Sequence, residues 1–499
     1  MSFSSVKFFN LLIFNLQLDL TGLIGVLFTA MHEGNNKSVY PGGYAEMWRI
    51  AAPLIVSMGS YTVMQFCDRI FLARYSSTAI QAALPAGILA HTLICFFQAL
   101  CSYSGIFTAH YFGAGNQKRC LESTLQGLWL AFASFPFILL LIPVGLWIME
   151  ISGHSVEVLK DERPYFIILM AGGFVVPLNA ALGGYFTGIG RTTINMISNF
   201  IGCSLNVVLN YIFIFGHLGV AEMGIRGAAY ATLISAGVCC LIQWFIFVQS
   251  RSVKQYGVRK LLRFDLALQR RILRFGAPSG LHLLMEVGSF SLFIMLTGRL
   301  GDLALTASNI GFSINNLAFS PLLGFGVAAS SLVAQHKGSG NIAAAGRAGW
   351  SAVKMALIYM TVIGITFVTL PRFYFELFCP PDASFTSEEL LKLGRIMMII
   401  MTSWGLFDAV AIVLGDALKG AGDTKFVMIL LSLSGWAVLI PGAALLLWLD
   451  KGIIALWLWL AFYVIFIMAG TTWRWCSGKW RNIEVIEHEP VLPIPDEVH

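Results

Sequence analysis

Residues 274–299 read RFGAPSGLHLLMEVGSFSLFIMLTGR, a run in which Glu286 is the one charge between two arginines. Glu286 stands nearly midway between Arg274 and Arg299, so neither end of the run offers it water. A helix rises about 1.5 Å per residue, and a run of this length reaches across a hydrocarbon core of about 30 Å. The stretch therefore reads as a membrane helix with a carboxylate near its middle. Composition extends that reading to the whole chain. With 57% hydrophobic residues, 12% charged residues, 38 Phe and a mean hydropathy of +0.76, the 499 residues exclude a water-soluble globule.

Apolar runs of spanning length recur at about 45–72, 84–111, 125–149, 163–188, 192–215, 224–249, 273–298, 303–335, 348–378, 392–418, 425–448 and 451–475. A lipid-exposed span must satisfy its backbone internally, and runs this uniformly apolar are not alternating barrel strands. The expected fold class is an all-α polytopic membrane protein with twelve transmembrane helices. The nine cysteines are scattered, without metal-like spacing, and read as small packing residues.

An internal repeat organises the spans. One constant, ungapped offset places Arg49 on Arg274, Pro53 on Pro278, Arg74 on Arg299, Ala79 on Ala304 and Ala82 on Ala307. The same offset places Gly113, Gly115 and Asn116 on Gly338, Gly340 and Asn341. A second echo, at a slightly longer offset, links Gly188-Ile-Gly-Arg-Thr192 with Gly420-Ala-Gly-Asp-Thr424. Each unit holds six helices, and an even number brings both into the membrane from the same side. The halves are then expected to relate by an axis along the membrane normal, the geometry in which one bundle can rock against the other.

The implied organisation is an N-terminal segment 1–44, a first bundle 45–249, a basic linker 250–272, a second bundle 273–478 and a tail 479–499. Within the first segment, 1–30 carries Asn15, Gln17 and Asp19 in its apolar part and makes a poor signal peptide. It reads as a start assigned too far upstream of Met31, with an extra interfacial helix as the alternative. Residues 250–274 hold eight Lys or Arg, which suits a loop lying on anionic lipid and not a nucleic-acid site. With both termini on the linker's side, 22 of the 32 basic residues fall there, so that side is expected to be cytoplasmic.

Of the 26 acidic residues only Asp68, Glu286 and Asp408 fall clearly within spans, and Asp416 lies near a predicted end. Asp408 repeats the pattern of Glu286, lying about midway between Arg395 and Lys419. A charge at mid-membrane costs about 2.5–3.5 kcal/mol on insertion scales, so such groups face a cavity or a partner and mark an ion path. A desolvated carboxylate can take up a proton, and a carboxylate pair with nearby carbonyls can hold sodium. His282, one turn before Glu286, is a candidate proton relay or a neutral packing residue. Gln65, Asn309, Asn315 and Asn316 are candidate cavity-lining residues, with hydrogen bonding between helices as the plainer role.

The chain resembles the multidrug and toxic compound extrusion (MATE) transporters over about 45–475. The resemblance rests on Cys67-Asp-Arg-Ile-Phe-Leu-Ala73, Gly113-Ala-Gly-Asn116, Gly188-Ile-Gly-Arg-Thr192 with Asn199, Asn206 and Asn210 behind it, and Gly224-Ile-Arg-Gly-Ala-Ala-Tyr-Ala-Thr232. It continues in Gly276-Ala-Pro-Ser279 with Glu286, Gln335-His-Lys-Gly-Ser-Gly-Asn341, and Asp408 followed by Gly415-Asp-Ala-Leu-Lys-Gly-Ala-Gly-Asp-Thr424. What it implies is a secondary antiporter that exports organic cations or other amphipathic compounds against Na+ or H+ by alternating access. The NorM-type branch carries acidic residues for the coupling cation at the positions of Glu286 and Asp408, which would also be the Na+ ligands if sodium drives the cycle. Trp404 departs from the polar tyrosine of that branch. Asp68 matches an acidic residue linked with ion or substrate passage in the first bundle, although Arg69 and Arg74 leave a local ion pair open as the alternative.

The implied partners are a small amphipathic or cationic substrate and membrane lipid, with no nucleic acid, no cofactor beyond the coupling ion, and a monomeric state. The implied location is the bacterial cytoplasmic membrane. A flippase for a lipid-linked sugar or cell-wall precursor is the alternative function, though a diphosphate would want a cationic cavity. The paired Asp-rich motifs of a membrane prenyl transferase are missing, as is a nucleotide-binding glycine loop.

Overall fold

The computed structural model describes residues 40–257, 263–300, 302–378 and 387–487. The expectation for residues 1–30 lies outside them. Every regular element among the described residues is a helix. The spans, in order, are α1 Tyr44–Tyr75, α2 Ser77–Gly113, α3 Gln117–Leu140, α4 Val156–Gly188, α5 Thr192–Phe215, α6 Ile225–Gln249, α7 Leu266–Thr297, α8 Asp302–Gly338, α9 Ile342–Thr369, α10 Ser387–Gly420, α11 Thr424–Trp448 and α12 Gly452–Cys476.

Among the described residues eleven are long and apolar enough to cross a membrane, while α4 is a pair, Val156–Gly172 and Val175–Gly188, bent by 44°. Pro177 explains the bend, since its ring displaces the carbonyl four residues earlier, at Gly173. In α11 a π-helical turn, Gly435–Leu439, precedes Pro441 and absorbs it in the same way.

The repeated glycine motifs are turn chemistry. Gly115 and Gly340 take left-handed φ values of 75° and 77°, ending α2 and α8. Asn116 and Asn341 then cap the next helices, accepting hydrogen bonds from the backbone N–H of Arg119 at 3.1 Å and of Ala344 at 3.0 Å. Identical local instructions therefore build α2–α3 and α8–α9.

The halves meet as the repeat requires. α1 packs on α8 and α7 on α2, so the first helix of each half lies against the other half. At the linker face α2 and α8 cross so closely that a Cβ on Gly113 would overlap the Gln335 carbonyl, and one on Gly338 would overlap the His110 carbonyl. His110 and Gln335 are themselves equivalent positions of the repeat. Each reaches into the opposite half: His110 Nε2–H donates to Gly420 O at 2.9 Å, and Gln335 Nε2 donates to Gly188 O at 2.7 Å. Ser331 Oγ donates to Thr187 O at 2.8 Å and Tyr103 Oη to Lys419 O at 2.8 Å. His336 Nε2 meets Glu46 Oε2 at 2.9 Å, joining α8 to α1.

A strap completes the closure. After α12 the chain turns back, and Lys337 Nζ donates to Ala421 O at 2.7 Å, Trp480 O at 2.7 Å and Ile483 O at 2.5 Å. Val485 and Ile486 then enter a core with Leu100, Tyr111, Leu121 and Leu268. The linker face is thus tied shut by pseudo-symmetric pairs plus a tail that crosses from one half to the other.

Candidate functional site

Glu286 lies on α7 in the same helical stripe as His282, Ser289 and Phe293, and those three are buried. Its own side chain is 47% exposed. A residue on the inward stripe that remains open faces an internal cleft, not lipid. His282 is 4% exposed, and its Nε2 points at Glu286 Oε2 from 3.4 Å without a hydrogen bond among the described residues.

Asp408 occupies the corresponding stripe of α10, with Met401, Trp404 and Ala411 buried beside it. Its carboxylate is close enough to Glu286 for the two charges to interact, and the Tyr463 hydroxyl of α12 senses both. The two acids chosen from sequence therefore stand on different helices within electrostatic range of each other. Trp404, one turn from Asp408, is 4% exposed and its indole N–H has no partner among the described residues.

Two members of this cluster were missed in the sequence. Asp416, placed near a span's end, lies two turns past Asp408 and packs its carboxylate where Gly326 of α8 leaves room for it. Lys419, read as the basic flank of the span, turns inward to bring Nζ 2.8 Å from Asp416 Oδ1 and within electrostatic range of Glu286. The signal was the compact Gly415-Asp-Ala-Leu-Lys-Gly420 run, whose i,i+3 spacing sets acid and base on one face.

Asn309 and Asn316 of α8 are exposed and share a stripe with Ser313 and Ser320. An exposed amide stripe on a membrane helix is tolerable where it borders water, so it lines the cleft. Asn315 lies off that stripe. Gln65 sits in the first half, its side chain against the Tyr61 hydroxyl. The repeat-equivalent positions on α2 are Leu84, Ile88, His91 and Cys95, of which Leu84, Ile88 and His91 are exposed. One wall is polar and acidic, and its counterpart is largely apolar.

Asp68 is apart from this cluster. Its Oδ1 accepts from Asn210 Nδ2 at 2.5 Å, and that amide also donates to Asn206 Oδ1 at 3.0 Å. Asn206 Nδ2 reaches Thr232 Oγ1 at 3.4 Å, and Thr232 Oγ1 donates to Ala228 O at 3.0 Å. The carboxylate thus turns to the Asn-rich helix α5 and not to Arg69, whose side chain is partly exposed. Asn206 and Asn210 are fully buried, and Asn210 Oδ1 accepts nothing among the described residues. Asp68 is thus the end of a chain of side-chain hydrogen bonds that runs through Asn210, Asn206 and Thr232.

Comparison with known proteins agrees with this geometry. The family model described as MatE matches residues 53–212 and again 278–445, more than half of the chain, and the two matches begin on Pro53 and Pro278, equivalent positions of the internal repeat. The chain is 24% identical over 453 residues to "Probable multidrug resistance protein NorM" of Thermotoga maritima, covering 89% of this chain and 95% of that one. It is 27% identical over 440 residues to the protein of the same name from Brucella suis, covering 86% and 91%. A solved structure described as the outward-facing conformation of a multidrug resistance MATE family transporter superimposes with a TM-score of 0.80 at 20% identity, over 89% of this chain and all of that one. A MOP superfamily transporter from Pyrococcus furiosus superimposes with a TM-score of 0.79 at 20% identity, over 89% and 99%.

Proposed function

Because the chain belongs to the MatE family of membrane transporters, we propose that it is a secondary antiporter that exports cationic or amphipathic compounds in exchange for Na+ or H+. What supports this reading is that Glu286, half exposed on the inward stripe of α7, and Asp408 of α10 lie near the middle of their spans within electrostatic range of each other. Two ionised carboxylates at that depth repel each other and lack bulk water, so they favour a state in which a cation is bound. Substrate and ion compete for one charge deficit, and that competition is the basis of exchange. The linker face is closed while Glu286 stays open, so the ion enters from the opposite face. Rocking the bundles breaks the His110–Gly420 and Gln335–Gly188 pairs and turns the cleft round.

The polar and acidic wall supplies attraction for a positive group, and the facing Leu84 and Ile88 accept an apolar body. An acidic cleft is a poor host for a diphosphate, which weighs against the flippase alternative. The Asp68, Asn206, Asn210 and Thr232 oxygens form a second candidate place for the coupling ion, in the first bundle. The excess of Lys and Arg in the linker supports a cytoplasmic closed face with both termini inside a plasma membrane, and the proposed working unit is the monomer.

The test is uptake of a fluorescent organic cation into inverted vesicles under imposed proton or sodium gradients. Glu286→Gln and Asp408→Asn should each insert at normal levels, bind substrate in detergent and lose the response to the gradient. A Glu286→Gln protein that exports at wild-type rate under both gradients would sink the assignment.

A further inference from the structure

Where the strap crosses the turn between α10 and α11, a cavity of about 310 Å³ opens at the linker face. Gly422 of that turn has a φ of 95° and lines the cavity without a side chain, and a Cβ on it would overlap Val485 of the strap. Phe275 and Ile483 add apolar surface, while Arg271 and Arg274 of α7 and Lys425 of α11 supply cations. Two acids also line it, Asp423 and Glu484. Asp423 is already neutralised, because Arg474 Nε and Nη2 donate to its two oxygens at 2.6 and 3.2 Å. Arg271 in turn meets Glu487 Oε1 at 2.5 Å. That leaves Arg274 and Lys425, both exposed and without an acidic partner among the described residues, against the one exposed carboxylate of Glu484. The cavity keeps a surplus of one positive charge.

The surroundings say what that surplus would meet. With both its oxygens on Arg474, the N-cap residue Asp423 makes no capping bond, so the first-turn N–H groups of α11 lack its support. In the same turn Thr424 Oγ1 is buried with no partner among the described residues. An uncapped helix start attracts an anion, and a guanidinium beside it matches the oxygens of a phosphate. Beyond Lys425 the same stripe of α11 continues as Ile429 and Leu433, both exposed and apolar, which on a membrane helix is a face for lipid. A basic residue at the end of such a stripe lies at the level of the headgroups. We infer that this cavity holds the phosphodiester headgroup of an anionic lipid from the leaflet on the linker side, with the phosphate between Arg274 and Lys425 and the acyl chains along Ile429 and Leu433. A phosphodiester carries one negative charge and cancels the surplus. Seated there, it touches α7, the α10–α11 turn and the strap at once, and so fastens the strap over the closed face. The site does not depend on Glu286 or Asp408.

Native mass spectrometry of the purified full-length protein tests this, with phosphatidylglycerol and phosphatidylcholine added at equal concentration. The wild type should retain phosphatidylglycerol in preference. Arg274→Gln combined with Lys425→Gln should weaken phosphatidylglycerol binding about tenfold or more and leave phosphatidylcholine unchanged. Arg274→Lys combined with Lys425→Arg keeps both charges and should keep the preference, which separates loss of charge from a folding defect. Arg251→Gln combined with Lys254→Gln removes the same charge from exposed linker positions outside the cavity and should change nothing. An equal loss in that control would overturn the inference, since it would mean unspecific attraction to a basic face. A folded, monodisperse Arg274→Gln, Lys425→Gln protein with the wild-type preference would overturn it as well. Inorganic phosphate added as a competitor distinguishes a soluble anion from a lipid. It should displace phosphatidylglycerol only weakly, and displacement at a concentration equal to that of the lipid would sink the lipid assignment.

Discussion

Asp68 and Asn210 show what a single contact does inside a membrane protein. With the amide gone, Asp68 Oδ1 and Asn206 Oδ1 both lose their donor, and an orphaned buried acceptor costs about 1–3 kcal/mol. Asn210→Ala should therefore lower thermal stability by that order and impair export, whereas Arg69→Ala should change neither by much. Melting of the two purified variants checks this, and a larger loss from Arg69→Ala would restore the local ion pair as the explanation for Asp68. Asp68, Glu286 and Asp408 were legible in the sequence because a lone carboxylate in an apolar run has few structural excuses. Asp416 and Lys419 were not, because a charge within a turn or two of a predicted helix end reads as interfacial. Its direction is set by the neighbouring helix, here by the missing side chain at Gly326.

At the level of elements, Asp265 caps α7 and ties it to the first bundle. Its Oδ1 accepts from the Leu268 N–H at 3.0 Å, and Arg119 Nη1 of α3 donates to Oδ2 at 2.9 Å. Partial burial pushes this carboxyl up, but the Leu268 N–H and the Arg119 guanidinium outweigh it and hold the acid below its usual value. A carboxyl lowered in the folded state contributes stability above its unfolded value, about 3.9, and that contribution fades as pH falls through the lower folded value. Asp265→Ala should cost about 1 kcal/mol at neutral pH through the lost cap, and the difference from wild type should shrink below about pH 4. Thermal unfolding across pH measures it. The α2–α8 crossing gives a sharper case. Gly113→Ala or Gly338→Ala must push two backbones apart, and each should cost about 1–3 kcal/mol and weaken closure of the linker face, read by accessibility of a cysteine at Ser331. The Gly-x-Gly-Asn motifs announced these turns in the sequence, since positive φ followed by a capping Asn is local chemistry. The bend in α4 was missed because the apolar run continues through Pro177 without a change in composition.

For the whole molecule, the repeat predicts topology as well as shape. If both termini and the linker are cytoplasmic, external thiol reagents should not label cysteines placed at Ser252 or Ser477, and efficient labelling of either would overturn the orientation. The pairing of His110 with Gly420 and of Gln335 with Gly188 follows from duplicated motifs, so the closed face was implicit in the two sequence echoes. The strap was not. It has no repeat counterpart among the described residues, and two apolar residues in a charged tail carry no periodic signal. Lys337→Met would strip the ammonium from three carbonyls and should lower stability by about 2–3 kcal/mol, checked by thermal melting.

That strap has a consequence for biosynthesis. Val485 and Ile486 leave the ribosome after every span has been made, yet they fill the core beside Leu100, Leu121 and Leu268, and Leu100 and Leu121 belong to the half made first. The early half must wait in the membrane with that patch unfilled until translation has passed α12. A chain truncated anywhere before residue 485 would leave that patch of its first half unfilled, and limited proteolysis of the truncated protein should show added cleavage at the linker face. Completion of the first half's core therefore waits on synthesis of the segment beyond the last span.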